Sequence, residues 1–179
     1  MQSQPLSTQR GVTLIELLIV LATIAVVLGA TLPGMEQIRA RKHLEGASAQ
    51  LETELHFARS LAVARNEGVR FTFGTQGAGG CYVIHTGGPN ACSCGNGPAP
   101  VCTGGAEVLR SVSYAAEAPV KIQSNSRSFV FSQHYGTVTP TATLELTNRR
   151  AGKVHLVINI MGRVRSCTPT VGMLGYVSC

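Results

Sequence analysis

The sequence lacks aspartate and tryptophan altogether, and only 13% of its 179 residues are charged. Every side-chain carboxylate is therefore a glutamate, which weakens any metal or acid–base site that would draw on aspartate. The five histidines are scattered, and none combines with serine, cysteine or glutamate in a recognisable catalytic arrangement. The sequence thus predicts no enzyme, no cofactor and no metal site.

Positive charge is unevenly distributed along the chain. Residues 1–109 contain seven Lys or Arg and seven Glu, whereas residues 110–179 contain eight basic residues against Glu117 and Glu145. The whole net charge of +6 therefore falls in the C-terminal part. Such asymmetry suggests a polyanionic partner or an anionic surface. The alternative, a solvated basic face, is the commoner explanation of charge alone.

The chain contains six cysteines: Cys81, Cys92, Cys94, Cys102, Cys167 and Cys179. An even number in loop-like sequence suggests disulfides in an oxidising compartment, although six cysteines allow 15 connectivities. A zinc site at the first four is disfavoured by the Cys-X-Cys spacing and by the lack of a nearby histidine. A Cys167–Cys179 bridge would close a short tail loop; alternatively, Cys179 pairs with one of the other four.

A polar N-terminus precedes a long apolar run. Residues 1–11 are polar, and residues 12–32 are almost wholly apolar. As a helix this run would rise about 31 Å, enough to cross the ~30 Å core of a bilayer. An ordinary secretory signal is cleaved after its apolar run, but here the distinctive glycine, Gly11, comes before it. Cleavage at Gly11 would leave the apolar helix on the mature protein.

Glu16 lies inside this apolar run. An ionisable group there costs a few kcal/mol and indicates a functional site with a partner. Cleavage after Gly11 would create an α-amino group on Val12, close to Glu16 in the same chain or in a neighbour. The alternative is a glutamate that reaches water from the helix end, but this would not explain the polar segment and glycine in front.

The segment GVTLIEL, residues 11–17, resembles the type III signal of type IV pilins and type II secretion pseudopilins. The resemblance implies that a prepilin peptidase cuts after Gly11 and N-methylates Val12, where the family usually has Phe. It implies that Glu16 guides assembly with other pilin subunits. It also implies a single-pass anchor in the bacterial inner membrane, with the head in the periplasm and then in a pilus or pseudopilus fibre.

The orientation of the chain rests on two conflicting signals. Basic residues at positions 39, 41 and 42 follow the apolar run and would by themselves favour a cytoplasmic head. The family resemblance and the cysteines both favour a head outside the cytoplasm. We therefore expect the periplasmic orientation.

Hydrophobic periodicity separates a helix from a β-rich part. Apolar residues recur at spacings of three and four after residue 34: Leu44, Ala47 or Ser48, Leu51, Leu55, Ala58 and Ala62. This amphipathic helix should end near residue 66, with Gly68 as its C-terminal cap. Beyond it, a period of two predicts seven strands: Val69–Phe73, Tyr82–His85, Val108–Tyr114, Val120–Ser124, Ser128–Phe131, Ala142–Thr147 and Val154–Ile160. Residues 86–105 are too rich in Gly, Pro and Cys for regular structure.

Three further stretches resemble the FimT/GspH group of minor pilins and pseudopilins: Phe57–Asn66, Phe129–Gly136 and Val157–Arg165. The resemblance implies an α+β pilin fold, in which a long N-terminal helix packs on an antiparallel, sandwich-like β head. The expected organisation is a leader peptide over 1–11, a transmembrane and assembly helix over 12–33, its amphipathic continuation over 34–66, and the disulfide-containing head over 67–179.

A Gly-Arg-X-Arg string follows the last predicted strand. In FimT-type minor pilins this motif is associated with DNA uptake in natural transformation, which implies non-specific duplex binding here. Gly162 permits a turn, and Arg163 and Arg165 would point the same way and straddle neighbouring phosphates. Such binding should be salt-sensitive and sequence-tolerant. The alternatives are a GspH-type pseudopilin of a type II secretion system, or a minor pilin that only primes fibre assembly.

Arg149, Arg150 and Lys153 are further candidates for the same DNA surface. A hairpin between Leu144 and Ile160 would place them at the opposite end from Arg163. The sequence therefore leaves open whether the two groups form one surface.

Overall fold

The computed structural model describes residues 11–76, 79–95, 99–171, 173 and 175–179, with the backbone alone at 30–34, 75, 76 and 79. Residues 1–10 of the expected leader peptide lie outside the described residues. The chain divides into two compact units, Met1–Ile38 and Arg39–Cys179. Helix α1, Leu14–Arg65, contributes residues to both units.

The first unit is the N-terminal part of α1. Its described large apolar side chains are all exposed, from 46% at Met35 to 79% at Leu14. The sequence predicts a membrane span over residues 12–33, whereas no helix in the described part of the chain meets the length and apolarity that crossing a membrane requires.

In the second unit, α1 buries one face in the head. The predicted apolar stripe is confirmed, because Leu44, Leu51 and Leu55 are at most 1% exposed and the alanines after them are fully buried. At the remaining position of the stripe it is Ser48, not Ala47, that is buried. The hydroxyl groups of Ser48 and Tyr176 lie 2.6 Å apart, which satisfies this buried polar group.

The C-terminal end of α1 is capped by Asn66. This residue has a φ of 49°, in the left-handed region. The Glu67 amide donates to the Ala62 carbonyl at 3.1 Å, and the Asn66 amide donates to Val63 at 3.3 Å. These are the two bonds of a Schellman motif, in which asparagine is the usual substitute for glycine. The prediction of Gly68 as the cap is therefore wrong by two positions.

The head contains two five-stranded sheets. In chain order the strands are β1 Val69–Gln76, β2 Gly79–Thr86, β3 Cys92–Ser93, β4 Val101–Cys102, β5 Val108–Ser113, β6 Lys121–Ser124, β7 Ser128–Phe131, β8 Val138–Thr139, β9 Ala142–Asn148, β10 Gly152–Ile158, β11 Val164–Thr168 and β12 Val177–Ser178. The first sheet has the order β5-β2-β1-β7-β8 and the second β12-β11-β10-β9-β6. The described pairings are antiparallel, except for the parallel pair β11–β12.

One hydrophobic core joins the helix stripe to the inner faces of both sheets. From the first sheet, Phe71 stacks on Phe129 with their ring centroids 5.3 Å apart. From the second sheet, alternate residues of β9 and β10 are buried, including Leu144 and Leu156. This alternation is expected of strands with one face on a core. A helix packed on antiparallel sheets confirms the predicted α+β class.

Two expectations about the strands are wrong. Residues 86–105 are not wholly irregular, because β3 and β4 pair there with Cys92 opposite Cys102. The Gly-Arg-X-Arg string does not follow the last strand either: Arg165 lies inside β11 and pairs with Val157 of β10. The prediction missed β11 and four strands of two residues each, β3, β4, β8 and β12, which are too short to show a period of two.

Candidate functional site

The Gly-Arg-X-Arg string begins in the tight turn between β10 and β11, which we call the arginine turn (residues 159–163). The Gly162 amide donates to the Asn159 carbonyl at 2.9 Å, and the Asn159 amide donates to the Arg163 carbonyl at 3.1 Å. The Asn159 side chain adds a bond, since its Oδ1 accepts from the Arg163 amide at 2.9 Å. The backbone of the arginine turn is thus held by three hydrogen bonds to one asparagine.

Gly162 is required by packing as well as by conformation. Its φ is +71°, where residues with a Cβ are strained. A Cβ here would also collide with the Gly136 carbonyl oxygen and come within 3.0 Å of Arg59 Nε. The arginine turn therefore lies directly against a second turn, residues 132–136, and against the helix.

Arg59 of α1 ties these two turns to the helix. Its Nε donates to the Gly136 carbonyl at 3.2 Å. Between the turns, the Val138 amide donates to the Ile160 carbonyl at 2.9 Å. Both contacts join residues far apart in the chain. The arginine turn is therefore supported by helix α1, by the turn of residues 132–136 and by strand β8.

Arg163 and Arg165 both face solvent. Between them, Val164 pairs with the buried Ile158, so that the alternation of β11 turns Arg165 outwards. Within the described residues, neither guanidinium group makes a side-chain hydrogen bond or an ion pair. Two exposed cations without internal partners are therefore available to an anionic ligand.

The second basic group lies elsewhere. Arg149 and Arg150 occupy the turn between β9 and β10, at the far end of β10 from the arginine turn. The seven residues of β10 rise about 20 Å. Lys153 is already paired with Glu145, with Nζ and Oε1 2.7 Å apart. The structure therefore does not bring these three residues together with Arg163.

Glu145 also holds His155, whose Nε2 lies 3.2 Å from its Oε2. The hydrogen bond from Lys153, with smaller contributions from Thr147 and His155, lowers the pKa of Glu145 against the opposing effect of burial. On the other side of the ring, Nδ1 lies 3.7 Å from the Cys179 sulfur. The outer face of the second sheet thus carries an ordered polar row.

All six cysteines are paired in disulfides: Cys81–Cys94, Cys92–Cys102 and Cys167–Cys179. The first two lie where the sequence also allowed zinc to be considered. The third brings its sulfur atoms and His155 within 4.8 Å of one another. Sulfur atoms bonded to each other have no thiolate to offer a metal, so these groups serve as covalent ties.

At the N-terminus, Thr13 caps α1. Its carbonyl accepts from Glu16 and Leu17 at 3.1 and 3.2 Å, and its hydroxyl accepts from the Glu16 amide at 3.4 Å. Thr13 is therefore the N-cap of α1, and the Glu16 amide three positions later is one of the groups that it satisfies. Gly11 and Val12 precede the helix and are exposed.

The family described as "Type II transport protein GspH" matches residues 47–162. The chain belongs to the GspH family. The prokaryotic N-terminal methylation motif matches residues 6–32 of this GspH family member. The GspH match ends at Gly162, so Arg163 and Arg165 lie just beyond it.

Known proteins agree with this assignment. The chain is 42% identical over 73 residues to the pilin-like protein PilA1 of Thermus thermophilus, a match that covers 41% of this chain and 46% of the relative. The chain thus spans about half the length of the curated relative it matches. The crystal structure of the type IV minor pilin FimU of Pseudomonas aeruginosa superposes with a TM-score of 0.52 at 18% identity, over 70% of this chain and 88% of that one. This likeness shows the fold alone.

Proposed function

We propose that this GspH family member is a FimT-like minor pilin that binds duplex DNA without sequence preference through Gly162, Arg163 and Arg165, in DNA uptake for natural transformation. The observation that carries the proposal is the pair of exposed guanidinium groups without internal partners among the described residues. One lies on a turn fixed from three sides and the other at the start of the strand that follows it. A rigid support limits the entropy lost on binding. Guanidinium groups suit phosphate because their donors form a planar fork and are weakly hydrated.

The same proposal covers how the protein reaches its site of action. A prepilin peptidase would cut after Gly11 and methylate Val12, and residues 12–33 would hold the protein in the inner membrane and then in the fibre. The match to the methylation motif over 6–32 supports this maturation. The three disulfides support a periplasmic head. Glu16 would pair with the new amino group while Thr13 caps its backbone.

A second candidate is a pseudopilin of a type II secretion system with a structural role in the fibre. The matching family, a type II transport protein, favours it, and the match does not include Arg163 and Arg165. This function requires contacts with other pilin-like subunits and no affinity for DNA. In both proposals the chain is a structural or binding subunit, not an enzyme.

Substitution of both arginines distinguishes these functions. We expect full-length chain in detergent micelles to bind a short duplex at low salt, and Arg163→Ala with Arg165→Ala to abolish most of that binding. Loss of two phosphate contacts should reduce the slope of log K against log salt by about 1.8. A fluorescence-anisotropy titration at several salt concentrations measures both quantities.

The matched control removes two exposed cations elsewhere, through Lys121→Ala with Arg127→Ala. It has the same net charge as the test variant, so a purely long-range effect of charge would weaken both variants equally. Equal affinities of the two variants would rule out the arginine turn as the DNA site. A wild-type chain that fails to bind at low salt would favour the pseudopilin function.

A further inference from the structure

The end of the head that carries the arginines also exposes rings and apolar side chains. Tyr135 is 80% exposed, and Ile160 and Met161 are 60% and 58% exposed. The Tyr135 ring lies 6.4 Å from the ring of His134, centroid to centroid. Within the described residues the Tyr135 hydroxyl has no hydrogen-bond partner. Tyr135 therefore contributes little to the core.

The packing of the two turns places Tyr135 near the arginines. Gly136 directly follows Tyr135, and its carbonyl oxygen is in contact with the Cβ position of Gly162, which directly precedes Arg163. Consecutive Cα atoms are about 3.8 Å apart. Tyr135 and Arg163 therefore each lie next to one of the two glycines that are in contact. Ile160 is bonded through its carbonyl to Val138, on the other side of Gly136. Rings, apolar groups and cations thus share one surface.

We propose that Tyr135, with His134 beside it, is a stacking surface for unpaired bases, so that the surface around the arginine turn binds single-stranded DNA more tightly than duplex. This inference rests on the proposed DNA-binding function. In a duplex the faces of the bases are covered by their neighbours, and Arg163 and Arg165 contact phosphates alone. In a single strand the bases are free to stack on an aromatic ring, a contact that tolerates every sequence.

Charge favours nucleic acid over a protein partner at this surface. Within the described residues no carboxylate pairs with Arg163 or Arg165. An exposed aromatic ring next to unpaired guanidinium groups is the combination that sites for single-stranded nucleic acid use, since it fits a polyanion with planar bases. A neighbouring pilin subunit would match the apolar residues but would have to supply acidic groups as well.

The test compares three probes of equal phosphate number: a thymidine 20-mer, an abasic 20-mer and a duplex. Full-length chain in detergent micelles should bind the thymidine strand at least about fivefold more tightly than the abasic strand. Tyr135→Ala should remove this preference and leave duplex affinity unchanged, while Tyr135→Phe should retain the preference. Thermal unfolding midpoints equal to that of the wild type will show that the variants fold.

Tyrosine fluorescence gives a second readout, because the chain has no tryptophan and four tyrosines. The thymidine strand should quench the emission of the wild type, and the loss of quenching in Tyr135→Ala would assign it. An unchanged base preference in Tyr135→Ala would overturn the stacking surface while the duplex function stands. Failure of the wild type to bind any probe would overturn the proposed function itself. If Tyr135→Ala lost only its co-assembly with other pilins, the surface would be a protein contact and not a DNA site.

Discussion

At residue 162, a side chain of any size would meet the Gly136 carbonyl oxygen and the Arg59 guanidinium. The glycine of the Gly-Arg-X-Arg string therefore has a role beyond freedom of the backbone. It allows the arginine turn to touch the turn of residues 132–136, and this contact fixes the position of Arg163. The motif alone does not reveal this contact, because Gly136 and Arg59 lie 26 and 103 positions earlier in the chain.

His85 is a second residue whose role comes from its surroundings. It is fully buried on the side of β2 away from the core. Its Nδ1 donates to the Thr86 carbonyl at 2.7 Å, so its Nε2 accepts from the Thr72 hydroxyl at 2.8 Å. Burial lowers the pKa of His85, with the charge of Arg70 acting in the same direction and the bond to Thr86 opposing them. The folded state therefore favours the neutral ring.

Stability should therefore fall as the pH is lowered through a defined window. Below the ordinary value of 6.5, the unfolded chain takes up a proton at His85 before the folded chain does. Stability that is present above 6.5 is lost as pH falls towards the lowered folded value, with a slope of at most about 1.4 kcal/mol per pH unit. Urea unfolding between pH 7.5 and 5.0 measures this slope over a range in which glutamates of ordinary pKa stay mostly ionised.

The matched variant is His85→Asn, which can keep the bond to Thr86 and cannot titrate. Its unfolding free energy should change less between pH 7.5 and 5.0 than that of the wild type. Identical pH slopes for the two proteins would show that His85 does not control the acid sensitivity. The absolute stability of the variant does not affect this comparison.

Among the elements, the small β3–β4 ladder depends on covalent bonds. Each strand has two residues, which is too few to be stable alone. Cys92 pairs with Cys102 both in register and in a disulfide, and a second disulfide ties Cys94 to Cys81 of β2. Strand β3 of the ladder contacts both β1 and β2.

Removal of the Cys92–Cys102 bridge should lower the free energy of unfolding. The bridge closes a loop with a sequence separation of 10, for which chain entropy gives a loss of ~2–3 kcal/mol. Cys92→Ala with Cys102→Ala is the variant, and urea unfolding under non-reducing conditions is the measurement. An unchanged unfolding midpoint would mean that packing alone holds the ladder.

Elements that the sequence predicts well are those with enough residues to show a period. The stripe of α1 and strands such as β7 and β9 fall close to the predicted bounds. Strands of two residues show no period, and the extra strand β11 was hidden because its sequence reads as a charged turn. The helix cap was missed because Asn66 takes the left-handed position ahead of the more permissive Gly68.

For the whole molecule, the core could be predicted from the sequence and the topology could not. The inward residues of the strands are readable by alternation. The order β5-β2-β1-β7-β8 places strands from distant parts of the chain side by side, and nothing local specifies it. The same holds for the candidate site: Arg163 and Arg165 could be read from the motif, whereas the support by Arg59 and the nearness of Tyr135 depend on tertiary packing.

Assembly is also a property of the whole molecule, because the described large apolar side chains in the N-terminal part of α1 are exposed. We expect protein isolated from its native cell to begin at N-methylated Val12, as peptide mass analysis will show. Glu16→Val should leave this cleavage intact but remove the partner of the new amino group, so that the protein is lost from sheared fibres.

The control for assembly is Glu16→Gln, which keeps a polar group of similar size but loses the charge. Loss of both variants from the fibre fraction would assign the effect to charge. Normal incorporation of both would show that the Glu16 side chain is not needed for assembly.

The hydrogen bond between Arg59 and Gly136 has a mechanical consequence. Under the proposed DNA-binding function, a filament that retracts with DNA bound at Arg163 would put that turn under tension. Because Arg59 belongs to α1, part of the load passes straight into the helix near its C-terminal end. The force that would otherwise separate β11 from β10 would then be smaller, so the arginine turn would stay folded under a higher load.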